Sequence, residues 1–297
     1  MTEFAQGWFT EASEELGCAF SLRLQDRLHE EQTPFQHIAI YETTTFGTLM
    51  VIDGFVMLSD RDNFLYHEMM THPVLFTHPA PRDLLIVGGG DCGTLREALR
   101  HDELRRVVQV EIDERVTRLA EQYFPQLCES NHDPRAQLLF DDAIEWVRNA
   151  PAESLDVIIV DSTDPVGPAQ GLFSEGFFRD ALRALRPGGL IVQQSESPLL
   201  HMSLLRDMYR AMGGAGFVDV RSLQFPQPVY PSGWWSATMA MKPVEGNAAD
   251  HRRPGTFREQ AVKEKGFETR YYSADIHRAA FAMPAYFYPQ LERELSD

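Results

Sequence analysis

The sequence predicts an α/β protein in which a small N-terminal antiparallel β domain precedes a doubly wound, Rossmann-like domain of the class I methyltransferase type. Residues 18–60 form short segments of alternating apolar and polar character separated by turn residues, as antiparallel strands do. From residue 83 onwards, apolar runs alternate with amphipathic segments, which predicts a parallel sheet covered by helices on both faces. We place the domains at 1–75, which includes a linking helix, and 76–297.

The individual elements follow from these patterns. N-terminal strands are predicted in AFSLRLQDRL, QHIAIYET, GTLMVIDG and FVMLSD, with turns at Thr45–Gly47 and Asp53–Gly54. A helix is predicted in FLYHEMMTHPVLF, and it is expected to stop or kink at Pro73. Strands of the second domain are predicted in DLLIVGG, RVVQVEID, AQLLF, LDVIIVD and GLIVQQ, and helices in TLREALRH, ERVTRLAEQYF, DAIEWVRNA and FFRDALRAL.

Composition narrows the class of ligand. The 297-residue chain carries 27 Lys and Arg against 44 Asp and Glu, a net charge of −17, which argues against binding to nucleic acid or anionic lipid and favours a cationic ligand. Neither a basic region ahead of an apolar one at the start nor a run of 18 apolar residues occurs, so we expect a cytoplasmic location and no membrane partner. Without C-x-x-C or H-E-x-x-H spacing, we predict no disulfide framework and no metal.

Acidic residues end four consecutive predicted strands of the second domain: Asp91, Glu111 and Asp113, Asp141 and Asp142, and Asp161 and Asp164. One such acid is commonplace as a helix N-cap, and for Asp142 capping and ligand binding stay equally open. The carboxyl ends of parallel strands meet at one edge, where so many acids repel each other unless a cation or a hydroxyl-rich ligand lies among them. The set therefore favours a binding site.

The glycine-rich loop indicates a nucleoside. Three glycines at 88–90 allow a tight turn and a close approach of ligand to backbone, although a purely structural turn is the alternative. Glu111 lies 20 residues after Asp91, near the offset of about 20 at which an acid binds ribose hydroxyls. Because Asp91 would repel a pyrophosphate, a cationic adenosine ligand such as a sulfonium nucleoside fits better than NAD or ATP.

Two further segments suit an amine. Asp161 and Asp164 lie in VIIVDSTDPVGPAQGLF, an acidic turn leading into a loop that could close over a ligand, so one carboxylate can help remove a proton while the other holds the amine in line. A capped turn is the alternative. In PVYPSGWWSATM, Tyr230 with Trp234 or Trp235 suits a methylene chain with charged ends, although such aromatics are more often core residues.

Taken in order, GGGD, DSTDPVGP and YYSADIHRAAF are a highly specific combination, and with FQHIAIYET, FGTLMVIDG, DRDNFLYHEMMTHP and YPSG they span nearly the whole chain. The sequence resembles the polyamine aminopropyltransferases, most closely the spermidine synthases. The resemblance implies transfer of the aminopropyl group of decarboxylated S-adenosylmethionine, a co-substrate, to a diamine, usually putrescine, giving spermidine and methylthioadenosine. It further implies no metal or redox cofactor, and a homodimer or homotetramer.

The same resemblance implies roles for single residues. Asp161 matches the catalytic acid that helps deprotonate and orient the attacking amine. Asp91 would lie by the ammonium of the aminopropyl group and disfavour ordinary S-adenosylmethionine, which keeps its carboxylate. The other amine-side positions are Tyr66, His67, Asp164, Gln194 and Tyr230. The positions implied to hold the methylthioadenosine part are Gln36, Glu111, Asp142, Ala143 and Pro168.

Three residues depart from the family pattern: Cys92 and Ala143 stand where glycine is common, and Asn63 where an acid is usual. Because cysteine at positive φ is costly, we expect a negative φ at Cys92. Together with Ser195, these changes leave the acceptor open among putrescine, cadaverine, agmatine and spermidine.

Two alternatives compete with this interpretation. A methyltransferase on the same sheet architecture would have to accept the methionine carboxylate, which Asp91 disfavours. A polyamine-binding protein without turnover would have no need of Asp161 and Tyr66.

Overall fold

The computed structural model describes residues 7–164, 167–244 and 253–292, without the side chains of residues 167 and 168. An antiparallel sheet of sequentially ordered strands comes first along the chain, as predicted. Its strands are β1 Trp8–Ser13, β2 Cys18–Gln32, β3 His37–Thr43, β4 Thr48–Ile52 and β5 Phe55–Ser59. The predicted turn between β4 and β5 has positive φ at Asp53 (50°) and Gly54 (88°), as a two-residue hairpin turn requires.

The second sheet has the order β11-β12-β10-β9-β6-β7-β8. Its strands are β6 Asp83–Gly88, β7 Arg106–Glu111, β8 Ala136–Phe140, β9 Leu155–Asp161, β10 Leu185–Gln194, β11 Val218–Pro226 and β12 Trp234–Met241. From β10 to β8 the strands are parallel, whereas β11 and β12 add an antiparallel pair at the edge. The predicted fold class is confirmed, with a mixed sheet in place of a purely parallel one.

Helices cover both faces of this sheet, and a separate apolar cluster lies on each side. They are α1 Asn63–Thr77, α2 Gly93–Leu99, α3 Glu114–Tyr123, α4 Ala143–Asn149, α5 Glu175–Ala184, α6 Met202–Ala215, α7 Glu259–Glu264, α8 Ala274–Ala280 and α9 Phe287–Glu292. Within the described ranges, none of them is long and apolar enough to cross a membrane.

Of the two predicted outcomes at Pro73, a stop or a kink, the stop is wrong, because helix α1 continues to Thr77. Proline inside a helix costs about 3 kcal/mol. Here almost the whole helix is buried, and Met69, Met70 and Val74 are fully covered in the core. Burying such side chains is worth about 1.5–3 kcal/mol each, so tertiary packing outweighs the local cost.

The start of the C-terminal motif YYSADIHRAAF is hydrogen-bonded to α1 through one buried carboxylate. Glu68 accepts backbone N–H groups from Arg270, Tyr271 and Tyr272 at 2.8, 2.9 and 2.7 Å. Since α1 also carries Tyr66, the C-terminal segment helps to fix the position of a predicted site residue.

Candidate active site

A cavity of about 360 Å³ lies at the carboxyl ends of the parallel strands, bounded on its other side by residues of β4 and β5. This is where open α/β sheets bind ligands. Most of the predicted site residues line it: Gln36, Tyr66, Asp91, Glu111, Asp142, Ala143, Asp161, Asp164 and Tyr230. At least one acid from each of the four strand ends therefore lines this crevice, whereas Asp113 and Asp141 do not.

Asp161 ends β9 and is held by two hydroxyl groups. Its Oδ1 accepts a hydrogen bond from the Tyr66 hydroxyl at 2.8 Å, and its Oδ2 accepts one from Thr94 Oγ1 at 2.6 Å. Burial raises the pKa of Asp161 above its ordinary value, and the charge of Asp91 raises it further, while both hydroxyls oppose the rise. The geometry thus gives a carboxylate of fixed orientation whose proton affinity is increased. Sequence analysis did not find Thr94, since a threonine in the first turn of a helix carries no distinctive signal.

Asp91 lies in the loop between β6 and α2. Its Oδ1 accepts the Gly93 N–H at 2.6 Å, and His67 Nε2 lies 3.2 Å from Oδ1 and 3.3 Å from Oδ2. Burial opposes ionisation of Asp91, but the His67 ring and the Gly93 N–H outweigh it and lower the pKa of Asp91. Burial likewise opposes the charge on His67, and Asp91 outweighs it, so the pKa of His67 is raised.

His67 contacts Asp91 from behind the cavity wall and does not line the cavity. Space is limited there: a Cβ on Gly93 would lie 2.1 Å from His67 Cε1. The close packing explains why a glycine begins α2 and leaves His67 able to orient Asp91.

The backbone of Cys92 contradicts the prediction of a negative φ. Its φ is +68°, in the left-handed region, a conformation that costs a non-glycine residue about 1–3 kcal/mol. Cys92 N–H donates to the Gly89 carbonyl at 2.8 Å, and the Cys92 carbonyl accepts the Arg96 N–H at 2.9 Å. One residue therefore closes the glycine turn and starts α2, and this geometry overrides its steric preference.

Glu111 and Gln36 occupy the side of the cavity predicted to hold the nucleoside. Glu111 Oε1 accepts the Asp113 N–H at 3.0 Å, and burial raises the pKa of Glu111 to about 7. Gln36 Nε2 donates to Asp113 Oδ2 at 3.0 Å, so this carboxylate positions Gln36. A Cβ on Gly90 would lie 2.8 Å from Glu111 Oε2, which requires glycine beside the acid.

Asp142 caps a helix and also faces the cavity, so its predicted role in ligand binding stays a prediction beside the observed cap. It is the N-cap of α4 and accepts the Ile144 N–H at 2.8 Å, and with Ala143 it also lines the cavity. Pro168 falls in a 3₁₀-helix at Gly167–Phe173, and its side chain lies outside the described residues.

A smaller cavity of about 30 Å³ adjoins the first and shares Tyr66, Asp164 and Tyr230 with it. Gln194 lines this smaller cavity, together with Trp235. The ring centroids of Tyr230 lie 4.6 Å from Trp235 and 6.0 Å from Tyr66. The structure thus selects Trp235, of the two candidate tryptophans, as a neighbour of the predicted amine pocket.

Two further carboxylates lie at this end of the site, Glu11 and Glu196. Glu11 comes from β1 and accepts the Val56 N–H at 2.8 Å; burial raises its pKa to about 7. Glu196 is buried, and its Oε2 lies 3.2 Å from His201 Nδ1. Burial, followed by the charge of Asp164, raises the pKa of Glu196 well above its ordinary range.

Sequence analysis missed both acids. Glu196 follows the carboxyl end of β10, so the strand-end rule could have found it. Glu11 comes from the other sheet, and no local pattern marks it.

Two protein families and several relatives of known name match the sequence of this chain. The family described as "Spermine/spermidine synthase domain" matches residues 63–249, and the "Spermidine synthase tetramerisation domain" matches residues 7–60. A polyamine aminopropyltransferase of Methylococcus capsulatus is 63% identical over 283 residues, covering 95% of this chain and 96% of the relative. One from Thioalkalivibrio sulfidiphilus is 62% identical over 286 residues, covering 96% and 97%.

Solved structures of spermidine synthases are similar to this chain in fold. A spermidine synthase crystallised with the transition-state analogue AdoDATO superposes with a TM-score of 0.89 at 32% identity, covering 96% of this chain and 94% of that chain. The spermidine synthase of Thermotoga maritima superposes with a TM-score of 0.87 at 32% identity and the same coverage. The chain belongs to the spermidine synthase family of polyamine aminopropyltransferases.

Proposed function

We propose that this aminopropyltransferase uses decarboxylated S-adenosylmethionine as donor and putrescine as acceptor, forming spermidine and methylthioadenosine. The observation that carries the proposal is the set of acids around the two joined cavities. Asp91 and Asp161 line the larger cavity, and Asp164 lines both. The related spermidine synthase that binds AdoDATO supports the assignment of the donor.

The donor would place its ribose against Glu111 and its aminopropyl ammonium against Asp91. The charge of His67, together with the hydrogen bonds from His67 and Gly93, keeps Asp91 ionised by lowering its pKa, so Asp91 is a counter-ion for an ammonium in a buried position. Ordinary S-adenosylmethionine carries a carboxylate at the same end, which would meet a like charge. The loop acid thereby selects the decarboxylated donor.

The acceptor would extend from Asp161 into the smaller cavity. Asp164, Glu11 and Glu196 would hold its distal ammonium, and the rings of Tyr230 and Trp235 would contact its methylene groups. Burial favours the protonated form of a carboxyl group, in line with the raised pKa values of Glu11 and Glu196, and a bound cation would allow both groups to ionise. The short second cavity suits a four-carbon diamine better than spermidine.

Catalysis then requires a neutral nitrogen aligned with the carbon beside the sulfonium. The nitrogen lone pair attacks that carbon, the C–S bond breaks with its electrons passing to sulfur, and methylthioadenosine leaves. Asp161, oriented by Tyr66 and Thr94, accepts the proton that the nitrogen loses. Because the sulfonium is already an activated leaving group, the proposed reaction needs no metal or redox cofactor.

We also propose that the chain forms a homo-oligomer through its first sheet. The exposed side chains of Trp8 (44%), Leu28 (38%) and Phe35 (44%) lie on or beside that sheet, in the region that matches the tetramerisation domain. Size-exclusion chromatography with light scattering measures the mass; a monomer at micromolar concentration would contradict this.

A product assay tests the choice of substrates. The enzyme is incubated with decarboxylated S-adenosylmethionine and, separately, putrescine, cadaverine, agmatine or spermidine, and adduct and methylthioadenosine are measured by mass spectrometry. We expect the highest kcat/KM for putrescine. A higher value for another amine would overturn the acceptor assignment, and equal use of S-adenosylmethionine would overturn the role of Asp91.

A further inference from the structure

Two thiols lie under the loop that carries Asp91. Cys92 Sγ is 3.6 Å from the Gly90 carbonyl oxygen, and Cys128 Sγ is 3.7 Å from the Asp91 carbonyl oxygen. The two thiols thus contact the carbonyl groups of consecutive residues, and Cys128 has the largest influence on the pKa of Cys92, which it raises. Cys92 is buried and Cys128 is partly exposed at the end of a 3₁₀-helix.

Side-chain donors hold the carbonyl groups of this loop. Gln109 Nε2 donates to the Gly89 carbonyl at 2.9 Å, and Thr117 Oγ1 donates to the Gly90 carbonyl at 2.9 Å. At the Asp91 carbonyl the described side-chain contact is the Cys128 thiol. The backbone of Asp91 is therefore restrained through a group that oxidation would remove.

We propose that Cys92 and Cys128 form a redox-active dithiol, and that their oxidation to a disulfide displaces the Asp91 loop and lowers aminopropyl transfer. The effect on transfer rests on the proposed role of Asp91 toward the donor ammonium. Oxidation would draw the two sulfur atoms together to about 2.05 Å. It would also remove both S–H donors from the loop carbonyls.

The proposed oxidant is a low-molecular-weight disulfide. The Cys128 thiolate, on the accessible side, attacks one sulfur of the oxidant and releases the first small thiol. Cys92 then loses its proton to the departing thiolate and attacks the sulfur of Cys128, so the second small thiol leaves and one protein disulfide forms. Two cysteine thiols are oxidised, and one small disulfide is reduced to two thiols.

The local environment favours this order of events. The neighbouring Cys128 thiol, followed by burial, raises the pKa of the Cys92 thiol far above its ordinary value, so the buried Cys92 resists direct attack on an oxidant from solution. Within a mixed disulfide on Cys128 the target sulfur is already adjacent. Cys18 is exposed on β2, outside this loop, and is replaced by serine in the test so that it cannot react with the oxidant.

The test uses the full chain with Cys18→Ser, treated with oxidised glutathione and then freed of it. Intact-mass and peptide analysis should show loss of about 2 Da and a peptide joined through Cys92 and Cys128. The value of kcat/KM for the decarboxylated donor should fall about tenfold or more, and dithiothreitol should restore it. Amide hydrogen exchange in residues 88–93 should rise in the oxidised protein.

The added Cys128→Ser change should prevent both the mass loss and the inactivation, while its hydroxyl can still donate to the Asp91 carbonyl. Cys92→Gly, which suits the positive φ at that position, supplies a second variant that should stay insensitive to the oxidant. Absence of the disulfide, or a disulfide that leaves exchange in residues 88–93 unchanged, would overturn the proposal. If the reduced enzyme used another donor, the proposed function would be wrong. The mass and hydrogen-exchange measurements would still test whether the disulfide between Cys92 and Cys128 forms and displaces the loop.

Discussion

Replacing Tyr66 by Phe should shift the pH dependence of the reaction. The Tyr66 hydroxyl donates to Asp161 Oδ1 at 2.8 Å in a buried site, and such a bond favours the ionised carboxylate. The substitution removes that donor and leaves the ring, which packs edge-on against Phe225 and Tyr230. Asp161 keeps its second donor, Thr94, so its orientation is only partly weakened.

The size of the shift follows from the bond that is lost. A hydrogen bond to a charged group contributes about 1.5–3 kcal/mol, and one pKa unit corresponds to about 1.4 kcal/mol. The pKa of Asp161 should therefore rise by about 1–2 units above a value that burial has already raised. Because the carboxylate form accepts the proton, the acid limb of kcat/KM moves to higher pH, and activity recovers at alkaline pH.

The assay measures methylthioadenosine formation from about pH 5 to about pH 9 for wild type, Tyr66→Phe and Tyr209→Phe. Tyr209 is a matched control, since its hydroxyl contacts Ser222 Oγ at 3.1 Å and not Asp161. We expect an unchanged acid limb in the control. An acid limb in Tyr66→Phe that coincides with that of wild type would refute the reasoning.

Asp91→Asn should raise the KM for the decarboxylated donor about tenfold or more. It should also move the acid limb of kcat/KM to lower pH, because the charge of Asp91 raises the pKa of Asp161. An acid limb that moves to higher pH would contradict this. Glu11 has a pKa raised from 4.5 to about 7, so the native state binds more protons than the unfolded state in that window and its stability falls as pH rises. Glu11→Gln should therefore raise the free energy of unfolding, measured in urea, by about 1–3 kcal/mol over wild type at about pH 8, and hardly change it at about pH 4. An equal increase at both pH values would be inconsistent with this. Gly93→Ala should lower stability and donor affinity together, because its Cβ would lie 2.1 Å from the His67 ring; thermal melting and donor titration at wild-type values would show that the contact is tolerated.

Much of the fold could be predicted because period-2 and period-3.6 patterns of apolar residues reflect which faces are buried. The exceptions have physical reasons. Pro73 opposes helix locally, but contacts distant in sequence hold α1 together. Strand β11 lies at the edge of the sheet and is partly exposed, so its apolar pattern is weaker than that of the central strands. Strand β12 is buried, but Ser236 and Thr238 interrupt its apolar run.

The candidate site was partly predictable for a geometric reason. Acids that follow successive parallel strands must meet at one edge, which brings Asp91 and Asp161 together without any knowledge of the turns. Glu11 could not be found in this way, because its place depends on how the first sheet packs against the second. The left-handed backbone of Cys92 was predicted wrongly, since steric preference was weighed without the hydrogen bonds that close the turn.

The central claim is that Asp161 serves the attacking amine and not the nucleoside. The most direct measurement compares wild type and Asp161→Asn for two quantities: kcat with decarboxylated S-adenosylmethionine and putrescine, and Kd for methylthioadenosine. The account predicts that kcat falls at least about a hundredfold while Kd stays close to the wild-type value. Retained turnover in Asp161→Asn, or a loss of turnover explained by equally weakened nucleoside binding, would contradict it.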